Sequence, residues 1–321
     1  MLIKTLSLVL FFIVYVNSIL ADEVWDLQRS NFYFENDIFL QKDAQYTSGW
    51  KLSNVYYLPE KSTLLQPSFL SLGIAQQIYT PQDLNQSELI VDDRPYAGWL
   101  YLELGYHQSS EYSLDSFSIQ LGIVGKLSGA QAVQQIFHTI TDSNAPKGWN
   151  NQLNNELGIN LIYQHKWRYI SENILGLKSS FIPFTTLSLG NVNTHINGGF
   201  LIRLGLNPIQ DFGSSSIDIG GENGIPVRSN CLCKEHENWT YTLNASTKAE
   251  VVLRDIFLDG NTFSDSHSVD KENLLYYYSF GFTLRYKHFS FDYILNSSSK
   301  HFKKATSSYK FGTVVFSYLY Q

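Results

Sequence analysis

The sequence predicts an all-β fold, a twelve-stranded antiparallel transmembrane β-barrel with a short helix in an extracellular loop. Three observations predict it. Apolar and polar residues alternate with a period of two along most of the chain after residue 21, and several alternating segments run for ten or more residues. Beyond the N-terminus, the chain contains no apolar stretch of the roughly 20 residues that a spanning helix needs.

The alternation is clearest in residues 274–286. One face carries only large apolar or aromatic residues, which are Leu274, Tyr276, Tyr278, Phe280, Phe282, Leu284 and Tyr286. The other face includes Ser279, Gly281 and Thr283. A soluble β-sandwich would also alternate, but its strands usually span about five or six residues, whereas a tilted membrane-crossing strand needs about 9–11. Strand length therefore favours the barrel.

Twelve segments qualify as strands: 30–39, 48–57, 68–78, 97–108, 115–125, 155–168, 178–190, 197–206, 239–253, 274–287, 287–296 and 310–320. An even number suits a closed antiparallel barrel whose two ends lie on the periplasmic side. The external links are then 40–47, 79–96, 126–154, 191–196, 254–273 and 297–309. The link 207–238 is unusually long for a periplasmic turn, and the sequence gives no reason for its length.

Composition agrees with a lipid-facing surface. Aromatic residues make up 15% and charged residues 16% of the chain, against about 25% charged in soluble domains. An aromatic-rich soluble sandwich fits the composition equally well. The net charge is −6 and there is no Lys/Arg run, which argues against nucleic-acid binding.

Residues 1–21 have the features of a secretory signal peptide, which leaves 22–321 as the barrel domain. Lys4 forms the positive region, 6–16 the apolar core, and Ala21 a plausible last residue before cleavage. A membrane anchor is the alternative. The two cysteines, Cys231 and Cys233, lie too close for an unstrained disulfide. They are either unreactive loop residues or, with His236, part of a metal site.

Residues 129–141 break the period of two and predict a loop helix. Val133, Ile136, Phe137 and Ile140 recur at helical spacing, and His138 falls on the other side. We expect the apolar face to pack on the barrel wall and the polar face to lie over an opening.

Candidate chemistry lies at the external ends of the first two strands. Hydrolase motifs such as G-x-S-x-G and H-E-x-x-H are absent. The first external hairpin brings together Asn36, Asp37 and Thr47, and the loop helix adds His138. Carboxylate oxygen suits Ca²⁺, and an imidazole suits general-base catalysis. Equally, Asn and Asp are common turn residues, and a histidine on a polar helix face is commonly only solvated.

At these positions the chain resembles the outer-membrane lipid A 3′-O-deacylase family. The resemblance covers most of the chain after residue 21 and rests on short segments in order, at 34–37 (FEND), 46–49 (YTSG), 77–81 (QIYTP), 93–99 (DRPYAGW), His138, 148–153 (GWNNQL), 257–263 (FLDGNTF) and 265–271 (DSHSVDK).

The resemblance implies a Ca²⁺-dependent enzyme of the bacterial outer membrane that hydrolyses ester-linked acyl chains at the 3′ position of lipid A. In that function His138 would activate water, Asp37 would help to hold Ca²⁺, and Asn36 and Thr47 would complete the site. Arg94 would either contact a lipid phosphate, in place of the basic residue that some members carry after the Tyr-Thr-Pro segment, or have a structural role. The expected partners are lipopolysaccharide and the outer membrane, with the protein acting as a monomer. The alternatives are another outer-membrane acyl hydrolase, such as a phospholipase, and a non-catalytic pore or binding barrel.

Three features depart from this pattern. Asn144 stands where some members of the family carry an acidic residue, and residues 81–90 lack the basic residue that some carry. Asn36 and Asp37 are adjacent, so in a regular strand their side chains point to opposite faces. Both can serve one site only if the strand ends or bulges there.

Overall fold

The computed structural model describes residues 25–37, 45–58, 67–174, 177–206, 208–213, 216–217, 222, 224–227 and 239–320. The predicted signal peptide at 1–21 lies outside the described residues, as do Cys231, Cys233 and His236. No helix in the part described is long and apolar enough to cross a membrane.

Within these residues the chain forms thirteen β segments. They are β1 (Asp26–Asn36), β2 (Gln45–Leu58), β3 (Ser68–Thr80), β4 (Ala97–Ser109), β5 (Ser113–Val124), β6 (Glu156–Trp167), β7 (Tyr169–Ile174), β8 (Leu177–Gly190), β9 (Asn193–Leu206), β10 (Thr240–Asp255), β11 (Leu274–Tyr286), β12 (Phe289–Ser298) and β13 (Lys310–Leu319). The described helices are α1 (Ala130–Ile140) and α2 (Ile256–Asp259), with 3₁₀ turns at Lys126–Ser128 and Trp149–Asn151.

These segments close into a twelve-stranded antiparallel barrel, as predicted. β1 pairs with β13, so the first and last strands meet. β6 and β7 are two parts of one strand, interrupted at Arg168, because both pair with β8. The expected link at 191–196 is wrong: β9 already begins at Asn193. Residues 193–196 pair with β10, which leaves only a two-residue turn.

The two faces of the wall differ as a membrane barrel requires. In β4, Leu102 and Leu104 are 48% and 45% exposed, whereas Glu103 between them is 2% exposed. Glu103 accepts hydrogen bonds from Lys51 on β2 and from Gln120 on the adjacent strand β5. Apolar side chains therefore cover the outside, and a hydrogen-bonded polar network lines the lumen.

The long link between β9 and β10 returns into the barrel, which accounts for its length. Its described residues between 208 and 227, here called the luminal segment, bury Phe212, Ile225 and Val227 in one apolar cluster. The wall side chains of that cluster are Val55, Phe69, Leu114 and Ile182. The luminal segment thus fills space in the lumen that side chains of the wall alone leave open.

Buried ion pairs fasten the luminal segment to the wall. The Asp211 carboxylate lies 3.1 Å from Arg29 Nη1 on β1 and 2.8 Å from Arg203 Nη1 on β9. The Glu222 carboxylate lies 3.2 Å from Lys51 Nζ on β2. Each of these charged groups is 5% exposed or less. Removing one partner of a buried pair leaves the other charge uncompensated, which is strongly unfavourable.

We expect Asp211→Ala to lower the free energy of unfolding by about 3–5 kcal/mol, because it leaves two buried guanidinium groups without their carboxylate. Denaturant titration of the barrel refolded in lipid vesicles measures this change. The control is Asp270→Ala, whose carboxylate is 83% exposed and 3.7 Å from Lys303. The control should cost no more than about 1 kcal/mol, and equal effects of the two substitutions would contradict the anchoring role of Asp211.

Candidate functional site

A cavity of about 240 Å³ lies on the outer face of the barrel, between the ends of β1 and β2 and helix α1. Its lining comprises Phe34, Asn36, Asp37, Thr47, Ser48, Gly49, Trp50, Val133, Gln134, Phe137, His138, Thr141 and Ser143. Four of these side chains, those of Asn36, Asp37, Thr47 and His138, were predicted from the sequence to share one site. The structure brings all four together.

The end of β1 allows neighbouring residues to share the cavity. Alternation turns Glu35 into the lumen, where it is fully buried, and turns Phe34 and Asn36 outward. β1 ends at Asn36, so the alternation of side chains along the strand does not fix the direction of the Asp37 side chain. Asn36 and Asp37 therefore line the same cavity although they are adjacent in sequence.

A β-bulge at the start of β2 places Thr47. The pairing of β2 with β3 shifts register between Tyr46 and Ser48. This bulge inserts one extra residue and changes the side of the sheet to which the side chains before it point. Tyr46 points into the lumen and Thr47 lines the cavity outside. The Thr47 hydroxyl shares a 2.6 Å hydrogen bond with the Thr80 hydroxyl, which fixes its position.

Helix α1 lies along the outer wall and covers the cavity. Phe137 packs on Phe34, with ring centroids 6.2 Å apart. Gln76 Nε2 on β3 donates a 2.7 Å hydrogen bond to the Ser128 carbonyl before the helix, and Gln76 Oε1 accepts one from Trp50 Nε1. These contacts fix the position of the helix on the outer surface of the barrel wall.

The helix presents only part of the predicted face to the wall. Val133 and Phe137 line the cavity, together with Gln134 and His138, which are buried at 2% and 6% exposure. Ile136 and Ile140 are 48% and 78% exposed, and their polar neighbours Gln135 and Thr139 are exposed as well. The prediction that all the apolar residues pack on the barrel is therefore wrong for Ile136 and Ile140.

Close approach of the helix to the wall depends on Gly98 in β4. A Cβ atom there would lie 2.1 Å from Ala130 Cβ and 2.3 Å from Ser128 Oγ. We expect Gly98→Leu to displace α1, at a cost of about 1–3 kcal/mol, and to speed amide exchange across 130–140 while the barrel stays folded. Gly198→Ala is the control, since its nearest neighbour would be 3.8 Å away. Unchanged exchange in Gly98→Leu would contradict the expected displacement.

Two buried nitrogen atoms in the cavity have no hydrogen-bond partner among the described residues: His138 Nδ1 and Gln134 Nε2. The two residues are one helical turn apart. Gln134 Oε1 accepts a 2.8 Å hydrogen bond from Trp149 Nε1, which orients the amide. Buried polar groups are normally satisfied, so this pair is suited to meeting a ligand or water. Gln134 was not among the residues predicted for the site, although its spacing of four from His138 places both on one helix face.

The oxygen groups at the other side of the cavity fit a hard cation. The Asp37 carboxylate is buried, and the Asn36 amide and the Thr47 and Ser48 hydroxyls line the same space. Ca²⁺ prefers such carboxylate, carbonyl and amide oxygens. No three His, Cys, Asp or Glu side chains in the described part of the chain gather as metal ligands, so a cation here would use Asp37 with neutral oxygens.

Arg94 lies outside the lining of the cavity. Its side chain is 1% exposed, and its guanidinium donates to the Tyr309 hydroxyl and, over 3.2 Å, to the Gln45 carbonyl. It also lies over the ring of Tyr79, 4.8 Å from the centroid. In this arrangement Arg94 joins β2, β3 and the loop after β12. Contact with a substrate phosphate stays a prediction. Asn144 is exposed and also lies outside the lining.

Other segments that carried the resemblance join the loops to one another. Asn261 Nδ2 donates to the Asn154 carbonyl and to the Glu156 carboxylate, and the Thr262 amide also donates to Glu156. His267 Nε2 lies 2.8 Å from the Asp93 carbonyl. These bonds join the loops before β4, before β6 and after β10 into one layer, so this part of the pattern is architectural.

The fold and the cavity together define a class of protein: an outer-membrane β-barrel that carries a polar site on its lipid-facing wall. The chain belongs to the outer membrane protein LpxR family, whose match spans residues 6–320. That family places it among outer-membrane proteins that modify lipid A.

A solved structure supports the fold. LpxR from Salmonella typhimurium aligns with a TM-score of 0.74 and 22% identity, covering 91% of this chain and 100% of that one. The β domain of the Bordetella autotransporter BrkA aligns with a TM-score of 0.44 and 7% identity, covering 93% and 100%. No curated protein sequence matches the chain.

Proposed function

We propose that this protein is a Ca²⁺-dependent lipid A 3′-O-deacylase, which hydrolyses ester-linked acyl chains in the outer leaflet of the outer membrane. The observation that carries the proposal is a cavity on the lipid-facing wall that combines an imidazole, a carboxylate and hydroxyl and amide groups. Family membership supports the choice of lipid A as the substrate.

His138 is the general base of the proposed reaction. Its Nδ1 atom is buried and has no partner among the described residues, so a water molecule that enters the cavity can donate to it. The imidazole accepts the proton as this water attacks the ester carbonyl, and it then returns a proton to the leaving sugar oxygen. Water attacks directly and no acyl-enzyme forms, in keeping with the absence of a G-x-S-x-G motif.

The remaining polar groups bind and orient the ester. Thr47, held by Thr80, and Asn36 offer hydrogen-bonding groups at the wall side of the cavity, and Gln134 Nε2 offers a donor at the helix side. Asp37 would hold the metal with Asn36 and Thr47 nearby. When bound, Ca²⁺ supplies positive charge that stabilises the oxyanion formed from the ester carbonyl.

Apolar residues of the same cavity suit an acyl chain. Phe34, Trp50, Val133 and Phe137 line it together with the polar groups. Two residues before Phe34, on the same face of β1, Phe32 is 39% exposed, within the apolar outer surface of the wall. An acyl chain can therefore extend from the cavity to the hydrocarbon of the membrane without crossing a polar surface.

The test is incubation of the purified, folded barrel with Ca²⁺ and either lipid A or phospholipid, followed by mass spectrometry. We expect loss of the 3′ ester-linked acyl chains from lipid A and no fatty acid from phospholipid. Release from phospholipid alone would identify a phospholipase and refute the proposed substrate. Conductance across a bilayer without deacylation of lipid A would favour a pore.

A further inference from the structure

We propose that Glu35 and Tyr46, which face the lumen, are positioning residues for the site on the opposite side of the wall. The inference rests on the proposed function, because the residues they hold in place are the proposed catalytic and metal-binding ones. Neither residue lines the outer cavity. Each immediately precedes residues that do: Glu35 precedes Asn36 and Asp37, and Tyr46 precedes Thr47.

Glu35 is a fully buried carboxylate that accepts hydrogen bonds from three parts of the fold. The Tyr46 hydroxyl donates to Oε2 at 2.5 Å. Oε1 accepts from the Thr313 hydroxyl on β13 at 2.8 Å and from the Ile217 backbone amide of the luminal segment at 2.6 Å. Hydrogen bonds to a charged acceptor are among the stronger ones in proteins, so Glu35 joins β1, β2, β13 and the luminal segment at one point.

The residues around Tyr46 allow its hydroxyl group to reach Glu35. Gly49 pairs directly with Glu35 across the β1–β2 ladder. A Cβ atom on Gly49 would lie 2.1 Å from the Tyr46 hydroxyl oxygen, so only glycine leaves room for the phenol. The bulge between Tyr46 and Ser48 turns the ring inward, where it packs against Tyr79 and Phe311 with centroids 5.3 and 4.9 Å away.

This link determines how the two strand ends sit relative to each other. Residues 38–44, which join the strands, lie outside the described residues. Among the described contacts, the Tyr46–Glu35 hydrogen bond is a side-chain link between β1 and β2 beside the site. Along the chain, Asn36 and Asp37 follow Glu35 by one and two residues, and Thr47 follows Tyr46 by one residue. If the Tyr46–Glu35 hydrogen bond shifts, Asp37 moves relative to Thr47. Misplacement of a catalytic group by about 1 Å can lower the rate on the order of 10²-fold.

Tyr46→Phe tests the inference, because it removes one hydroxyl and keeps the ring packing that folds the bulge. We expect kcat for lipid A deacylation to fall about tenfold, the loss that corresponds to about 1.4 kcal/mol. We expect KM to change less than about twofold, and the Ca²⁺ concentration for half-maximal activity to rise. Tyr79→Phe is the matched control: it lies in the same ring cluster, and among the described residues its hydroxyl makes a single, 3.5 Å hydrogen bond, to Gln77.

A double-mutant cycle with Glu35→Gln separates positioning from general destabilisation. If the two side chains act as one unit, the double variant is no slower than the slower single variant. Heat-modifiable electrophoretic mobility verifies that each barrel is folded. Full kcat and unchanged Ca²⁺ dependence in folded Tyr46→Phe, or additive losses in the cycle, would overturn the inference. Inactive wild-type protein would instead refute the proposed function.

Discussion

Replacement of His138 by alanine should reduce the rate of acyl release from lipid A by about 10²–10⁴-fold, the usual contribution of a positioned general base. The variant removes the buried imidazole that lines the cavity. Its barrel should fold normally, because His138 lies on the outer helix rather than in the wall. The measurement is mass spectrometry of lipid A over a time course, with the folded fraction determined by electrophoretic mobility.

His288→Ala is the matched control for the imidazole. His288 lies in the turn between β11 and β12, where its Nδ1 atom contacts the Leu319 carbonyl at 2.8 Å. That turn is at the opposite end of the barrel from the cavity, so the rate should stay within about twofold of the wild-type rate, in line with distant sites acting independently. A folded His138→Ala protein with near wild-type activity would exclude the histidine as the base.

Removal of Ca²⁺ with EGTA should abolish turnover, and added Ca²⁺ should restore it. Asp37→Asn should greatly lower turnover at the same Ca²⁺ concentration, because Asp37 carries the one carboxylate among the described residues that line the cavity. Mg²⁺ should restore less activity, since it demands near-ideal octahedral geometry and gives up its water reluctantly. The measurement is the initial deacylation rate as a function of free Ca²⁺ concentration.

Asp142→Asn provides the control for charge. Asp142 is exposed, follows the end of α1 and does not line the cavity. Its substitution should leave the Ca²⁺ dependence unchanged, while Asp37→Asn should shift it to much higher concentrations. Activity that survives EGTA in the wild-type protein would remove Ca²⁺ from the mechanism, and an unshifted Asp37→Asn curve would remove Asp37 from the metal site.

The fold could be predicted because its main signal is local. A barrel strand shows a period of two within its own ten residues, as in 274–286, whatever its partners are. The grouping of Asn36, Asp37 and Thr47 was predictable for a related reason: they flank one hairpin, and a hairpin brings its strand ends together. The sequence alone did not show how the neighbours Asn36 and Asp37 could line one cavity. They can because β1 ends at Asn36, and sequence patterns leave such a boundary uncertain by a few residues.

What the sequence did not predict depends on contacts between distant segments. Asp211 and Arg29 are 182 positions apart, and the luminal segment has no regular period to identify it. The helix was assigned correctly, but its contact face was predicted only in part: Phe137 packs on the wall, whereas Ile136 and Ile140 are exposed. Glu35 carries no local signal of its function either, because its partners lie on three separate segments.

The position of the cavity on the lipid-facing wall determines how the proposed substrate would reach it. A ligand arriving there travels within the leaflet, so the relevant concentration is molecules per unit area of membrane rather than per volume of solution. Diluting lipid A with inert detergent at constant bulk concentration should then slow the reaction. Turnover measured in mixed micelles would follow the surface mole fraction of lipid A.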